Sequence, residues 1–342
     1  MRHVGRPALL VSGALFLLLP LTSAHAAPPT PSAAPSSGST DTYWTAERMR
    51  AAKAVKAGPV DSADGTDGTD GTDQAKRTTA AAAPSKPSTG LPIVGTFFWS
   101  DGKGGKGAGH FCGGTVVNSP GRNLVMSAGH CFDGKTARPN LAFVPQYDDG
   151  KKPYGSYAVK PGGIFVDQRY PAWGRDAAAG LDFNFIQLEP RDGKNVQDAV
   201  GGADLLVDAG YEHDPVRLVG YPANQPHPLE CTDRTERFDS SSPGIPGSFL
   251  RIECDAYSGG SSGGPFLVKR VSGWGIVGVI GGWKTGGDTD DVSYSPYFGK
   301  DVQALYDKAT DGREPVTSRD VLDTAGTWRH AGTLAAEILR RR

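Results

Sequence analysis

The chain has 342 residues, with 36 Lys and Arg against 37 Asp and Glu. So even a balance carries no strongly basic or acidic face and argues against nucleic acid or an anionic membrane as partner. The 47 glycines and 26 prolines favour a loop-rich or all-β chain over a helical bundle. At the N-terminus, Arg2 and Arg6 precede an apolar run over residues 8–21, and Ala24-His25-Ala26 follows. That pattern predicts a secretory signal peptide over residues 1–26, cut before Ala27. The run is too short for a transmembrane helix, so a secreted chain without a membrane anchor is expected.

Residues 27–90 are expected to be a pro-segment or disordered linker. Residues 27–40 are rich in Pro, Ala and Ser, and residues 42–56 offer one short helix whose bulky side chains are Tyr43, Trp44 and Met49. Asp-Gly-Thr recurs over residues 64–73. Without the ligand spacing and closing glutamate of an EF-hand, it reads as a solvated spacer, which residues 80–90 continue.

From Leu91 onward, short apolar runs alternate with glycine and proline at intervals of roughly ten residues. Strand candidates cover residues 93–99, 110–117, 123–126, 141–144, 156–159, 163–166, 182–188, 215–219, 249–254, 265–271 and 275–280. No sustained helical period separates them, which predicts an antiparallel all-β domain. The glycine–lysine run at 102–107 lacks the Ser or Thr of a phosphate loop and reads as a hairpin tip.

Three motifs carry chemistry. Ser127-Ala128-Gly129-His130-Cys131 follows an apolar segment. Leu181-Asp182-Phe183-Asn184-Phe185-Ile186 starts an alternating strand, and Gly260-Ser261-Ser262-Gly263-Gly264-Pro265 sets a serine among glycines. Glycine lets such a serine sit on a tight turn and lets a carbonyl approach backbone N–H groups. In this order the motifs resemble those of the chymotrypsin-like (trypsin-like) serine peptidases of bacterial secreted type. The resemblance covers residues 91–310. It implies two packed antiparallel six-stranded β-barrels, about 91–195 and 200–298, with the site between them and a C-terminal helix at 301–309. Residues 311–342 form a C-terminal extension. A Tyr-Trp-Thr…Glu-Arg-Met element resembling residues 43–49 occurs in propeptides of such enzymes.

Export makes the four cysteines expected disulfides, with three connectivities open. Cys112–Cys131 and Cys231–Cys254 are the local pairs, and the first matches the family's bridge beside the histidine. No paired spacing supports a metal, and no cofactor is expected.

The resemblance implies that Ser262 is the nucleophile, His130 the general base and Asp182 the orienting carboxylate. Ser261 competes with Ser262, and Asp167 and Asp176 compete with Asp182, but none has the matching flanks. The N–H groups of Gly260 and Ser262 would form the oxyanion hole. Ser261 stands where trypsin-type zymogens carry an aspartate, so activation by an ion pair with a new N-terminus is not expected. Ala256 takes the position of trypsin's specificity aspartate, with Asp255 one place out of register. Gly278-Val279-Ile280 is read as the substrate-binding strand, where Ile280 would favour small or apolar side chains. The expected function is a secreted, monomeric serine endopeptidase acting on proteins or peptides. An exported binding protein without turnover and an esterase-like hydrolase are the alternatives.

Overall fold

Runs of aromatic and β-branched residues pair into two antiparallel sheets, because such side chains pack well on a pleated surface buried on one face. The computed structural model describes Met1 and residues 36–55, 81–101, 107–132 and 138–310. Residues 2–26 of the expected signal peptide, the Asp-Gly-Thr repeat, residues 102–106 and the extension at 311–342 lie outside the described residues. All that follows concerns one unit, Ala34–Arg342.

Ahead of the first barrel come α1 (Ser37–Tyr43), α2 (Ala46–Arg50), β1 (Lys53–Ala54) and β2 (Lys86–Pro87). The barrel itself consists of β3 (Val94–Ser100), β4 (Gly109–Val117), β5 (Leu124–Ser127), β6 (Ala142–Pro145), β7 (Tyr157–Val166) and β8 (Asn184–Leu188). These strands run β4-β3-β6-β7-β8-β5, and a β4–β5 pairing closes the ring. Phe97, fully buried, fills its centre with its ring 5.0 Å from Phe132 and 4.9 Å from Phe143. The short helices α3 (Arg169–Trp173) and α4 (Val196–Val200) flank β8 in sequence.

After β9 (Asp204–Leu205), the second sheet is built from β10 (His213–Gly220), β11 (Leu229–Asp239), β12 (Ser248–Ile252), β13 (Pro265–Arg270), β14 (Gly273–Val279) and β15 (Ser293–Pro296). Its order is β15-β12-β11-β10-β13-β14-β9, with β2 added on β11. The sheet curls without a closing ladder. β14 and β15 meet instead through the Ser295 hydroxyl, which accepts from Val279 N at 2.9 Å, and just beyond β14 Gly281 N donates to Tyr294 O at 3.0 Å. One apolar cluster joins Met126, Phe183 and Phe185 of the first half to Val219, Leu267 and Val279 of the second. The last helix, α5 (Lys300–Ala309), adds Val302, Leu305 and Tyr306 to that cluster. Both local disulfides form, Cys112–Cys131 and Cys231–Cys254. By loop-closure entropy each contributes about 3 kcal/mol.

The expectation of a spacer through residue 90 needs correction in two places. Residues 81–90 belong to the second sheet: Ala83 N donates to Glu253 O, Asp255 N donates to Ala83 O, and β2 pairs with Leu229 and Glu230. Pairing there satisfies backbone groups that an open sheet edge would leave bare.

Residues 36–55 form two helices and a strand, not one helix. Ser36 and Thr45 cap the helices by accepting from Ser39 N and Arg48 N. Between them Trp44 turns inward and is 1% exposed, packing with Met49, Phe98, Ala142 and Val144. Its indole N–H donates to Asn140 O at 2.7 Å. Asp41 accepts from Lys152 at 2.9 Å, Arg191 at 2.7 Å and Ser156 N at 3.0 Å.

Truncating a fully buried aromatic removes its transfer energy and leaves a cavity. Phe97→Ala is therefore expected to cost about 3–5 kcal/mol, read as a lower denaturant midpoint with both disulfides intact.

Candidate active site

Each of the three motif side chains sits where a strand ends or starts. His130 lies in a 3-10 turn, Gly129–Cys131, just after β5. Asp182 follows a second such turn, Ala179–Leu181, and leads into β8. Because β5 and β8 are hydrogen-bonded neighbours, with Ser127 opposite Asn184, the two turns leave the same end of the barrel side by side. Asn184 fastens them further, its side-chain amide donating to Ala128 O at 2.7 Å.

Asp182 is completely buried. Its Oδ1 accepts from His130 N at 2.7 Å, and its Oδ2 lies 2.9 Å from His130 Nδ1 and accepts from Gly282 N at 2.8 Å. A carboxylate only accepts, so it fixes the imidazole proton on Nδ1 and leaves Nε2 as the basic nitrogen. Nε2 is closed to solvent and carries no hydrogen bond. Its link to a serine hydroxyl is therefore not made in this state.

Ser262 comes from the loop between β12 and β13, in the second sheet, yet it is held by the first. Its carbonyl accepts from Gly113 N at 2.7 Å, next to Cys112, whose disulfide leads to Cys131 beside His130. Ser127 also donates its hydroxyl to Gly113 O at 2.7 Å. One hydrogen bond and one disulfide thus connect the Ser262 loop to the His130 turn. Gly260 adopts φ +101°, a left-handed conformation suited to glycine, and a Cβ there would lie 2.5 Å from the Phe111 ring. The N–H groups of Ser261, Gly263 and Gly264 donate to the carbonyls of Ser258, Ile280 and Ser261. No described acceptor takes the N–H of Gly260 or of Ser262. Two free donors beside a serine, with a basic nitrogen in the neighbouring turn, can receive a carbonyl oxygen as it gains negative charge.

The Gly278-Val279-Ile280 string is not the part of the chain that reaches Asp182. Gly278 and Val279 lie in β14 opposite Phe266 and Pro265 of β13, and Val279 is fully buried. Their backbone groups are committed to the sheet. Ile280 exchanges hydrogen bonds with the nucleophile loop, its N–H reaching Gly264 O and its carbonyl taking Gly263 N, both at 2.8 Å. Its side chain joins the second core with Tyr257 and Ala256. The residues that reach Asp182 are the next two, Gly281 and Gly282. A Cβ on Gly281 would come within 2.9 Å of Asp182 O and 3.1 Å of Oδ2, so no larger residue fits. The Ile-Gly-Gly-Trp string was the available signal, but only the Ile280–Gly264 pairing fixes its register. Asn184, Gly113 and Gly282 were likewise not singled out from sequence.

Ala256 takes φ +67° at the turn after Cys254. Its neighbour Asp255 is engaged by the segment before the first barrel, its Oδ1 accepting from Ser85 N at 2.6 Å. The ordered residues 81–90 thus occupy the carboxylate that a shifted loop would need for binding a basic side chain. Ser261, 1% exposed, has no partner for its hydroxyl.

Comparison with known proteins gives the family and the fold. The family model described as Trypsin matches residues 85–298, more than half of the chain. The chain belongs to the trypsin family of serine proteases. Among solved structures it is similar to the protease Anisep from Arthrobacter nicotinovorans, with 25% identity and a TM-score of 0.55, covering 66% of this chain and 99% of that one. It also shares its fold with the thermostable serine protease AL20 from an extremophilic microorganism, at 24% identity and a TM-score of 0.54, over 66% of this chain and 100% of that one. No curated protein matches the sequence. Among the described residues, no helix is long and apolar enough to cross a membrane.

Burial alone would raise the Asp182 carboxyl, but the His130 ring and the N–H groups of Gly282 and His130 outweigh it and hold the group below the ordinary value of 3.8. A depressed folded-state value gives stability that is present above the unfolded value and lost as the pH falls through the folded one. The stability gap between wild type and Asp182→Asn is therefore expected at neutral pH and should shrink as the pH drops below 3.8. Urea unfolding of both proteins across that range is the check.

Proposed function

We propose that the protein is a secreted serine endopeptidase in which Ser262 attacks the scissile carbonyl of a protein or peptide. His130 Nε2 takes the serine proton during attack, since a hydroxyl is a poor nucleophile at neutral pH. The imidazolium that results is stabilised by the buried Asp182 charge 2.9 Å from Nδ1. The N–H groups of Gly260 and Ser262 receive the oxyanion. The proton on Nε2 then passes to the leaving amine, which departs with its half of the substrate, and an acyl-enzyme remains on Ser262. Water attacks that ester as His130 acts again as base, and the free serine returns. The observation that carries the reading is His130 pinned through Nδ1 to a buried carboxylate, with two unpaired N–H groups beside the serine of the adjoining loop.

The N-terminal pattern of Arg2, Arg6 and an apolar run, together with two disulfides, supports export, since such bonds persist in oxidising compartments. Residues 27–80 are proposed as a pro-segment on a monomeric chain, since residues 81–90 pair into the second sheet. Ala256 at the expected base of the primary pocket offers no charge to a Lys or Arg side chain, which favours uncharged residues there.

Hydrolysis of denatured casein tests the assignment. Ser262→Ala and His130→Ala are each expected to lower kcat by roughly a factor of 10⁶ with little change in KM, as for groups acting as a unit. A Ser262→Ala protein that still cleaves casein at the wild-type rate overturns it.

A further inference from the structure

The N-terminal residues 36–55 are anchored on the first barrel and end at the rim of the candidate site. Strand β1 lies parallel to β4, with Lys53 opposite His110 and Ala54 opposite Phe111, and Val55 N donates to Phe111 O at 3.3 Å. Val55 packs against the core cluster that contains the Cys112–Cys131 bridge. On its other side the segment faces the serine loop. The Cβ of Ala54 and the carbonyl of Val55 lie 3.8 and 3.9 Å from where a Cβ on Gly259 would sit. Gly259 precedes Gly260, where a Cβ would lie 2.5 Å from the Phe111 ring. Lys53–Val55 thus bridges β4 and the loop that presents Ser262. The His130 side chain between these elements has no solvent exposure.

We propose that residues 36–55 are a built-in inhibitor, anchored through Trp44 and Asp41, whose end at Lys53–Val55 occupies the β4 edge that the leaving-group side of a substrate must use. The inference rests on the function proposed above. The leaving amine must reach His130 Nε2, and the chain attached to it then passes Cys112 and Phe111, the residues bonded to and flanking the His130 turn. Val55 already takes the Phe111 carbonyl there, and it fills the space beside the disulfide. Competition is therefore direct: the same backbone groups cannot serve both chains.

The anchor suits a part that is later released. It includes ionic contacts that water can replace, Asp41 with Lys152 and Arg191 and Arg50 with Asp149. Only residues 56–80, with their Asp-Gly-Thr repeat, connect it to the sheet that begins at residue 81. A cut in that stretch turns an intramolecular ligand into a separate peptide and removes its effective concentration.

Hydrolysis of fluorescein-labelled casein by the full chain tests the proposal with two variants. Asp41→Ala removes the ionic anchor, and Val55→Pro removes the N–H given to Phe111. Val55→Pro, at the half-buried end of the segment, keeps the test available if Asp41→Ala fails to fold. Each is expected to raise kcat/KM roughly tenfold, mainly through KM, because the competent fraction rises. A synthetic peptide of residues 36–55 should slow the Asp41→Ala protein again. Folded variants that match a measurable wild-type rate, with no effect of the peptide, overturn the inhibitor and leave the Ser262 assignment standing. Absence of hydrolysis from every sample overturns both, since no activated serine would then exist to be restrained.

Discussion

The arrangement depends on one buried negative charge. Asp182 has no solvent exposure, and a carboxylate in that setting persists only if its oxygens are hydrogen-bonded. It is served from both halves of the molecule: the His130 N–H and ring from the first barrel, and the Gly282 N–H from the turn after β14. Satisfying this charge therefore fixes the His130 ring, aligns the Gly281–Gly282 backbone and draws the two sheets together. Stability and the candidate chemistry share these contacts, so damage to one is expected to damage the other.

The second sheet contributes the loop, and the first holds it in place. Gly113 N reaches the Ser262 carbonyl, while Cys112 ties β4 to the His130 turn. This short path explains why a cysteine directly follows the histidine and why β4 carries two consecutive glycines. A Cβ on Gly113 would meet Gly264 N and Ser262 O at 3.1 Å, and one on Gly114 would meet Phe97 at 2.7 Å. A side chain at either position would force its neighbours to shift. It also places the β4 edge within reach of whatever lies along Phe111, which is where the N-terminal segment ends.

Much of this was legible in the sequence. The flanks of His130, Asp182 and Ser262 are short, and their glycine and alanine reflect backbone crowding that any such turn would share. Alternation and turn residues predicted an antiparallel all-β domain. The division into two halves, the closing helix and the bridge beside His130 were implied by the family resemblance, and cysteine spacing alone left three connectivities open. The reading centred on Gly278-Val279-Ile280 missed Gly281 and Gly282, the residues that meet Asp182, because their register is set by Ile280 pairing with Gly263 and Gly264, a contact not visible in the string itself. Asp255 was a candidate for a shifted pocket, and only the folded chain places Ser85 against it. A short helix was offered at residues 42–56, but the docking of residues 36–55 on the barrel was hidden for a related reason. One tryptophan and one methionine are too few to predict a packed element, and the aspartate that secures it finds its cations at Lys152 and Arg191, over a hundred residues away.

The most direct measurement is the site of covalent modification by a fluorophosphonate, mapped by peptide mass spectrometry on the folded, disulfide-bonded protein. The account predicts a single adduct on Ser262 that disappears in His130→Ala. An adduct on Ser261 or elsewhere, or one on Ser262 that forms equally fast without His130, would contradict it.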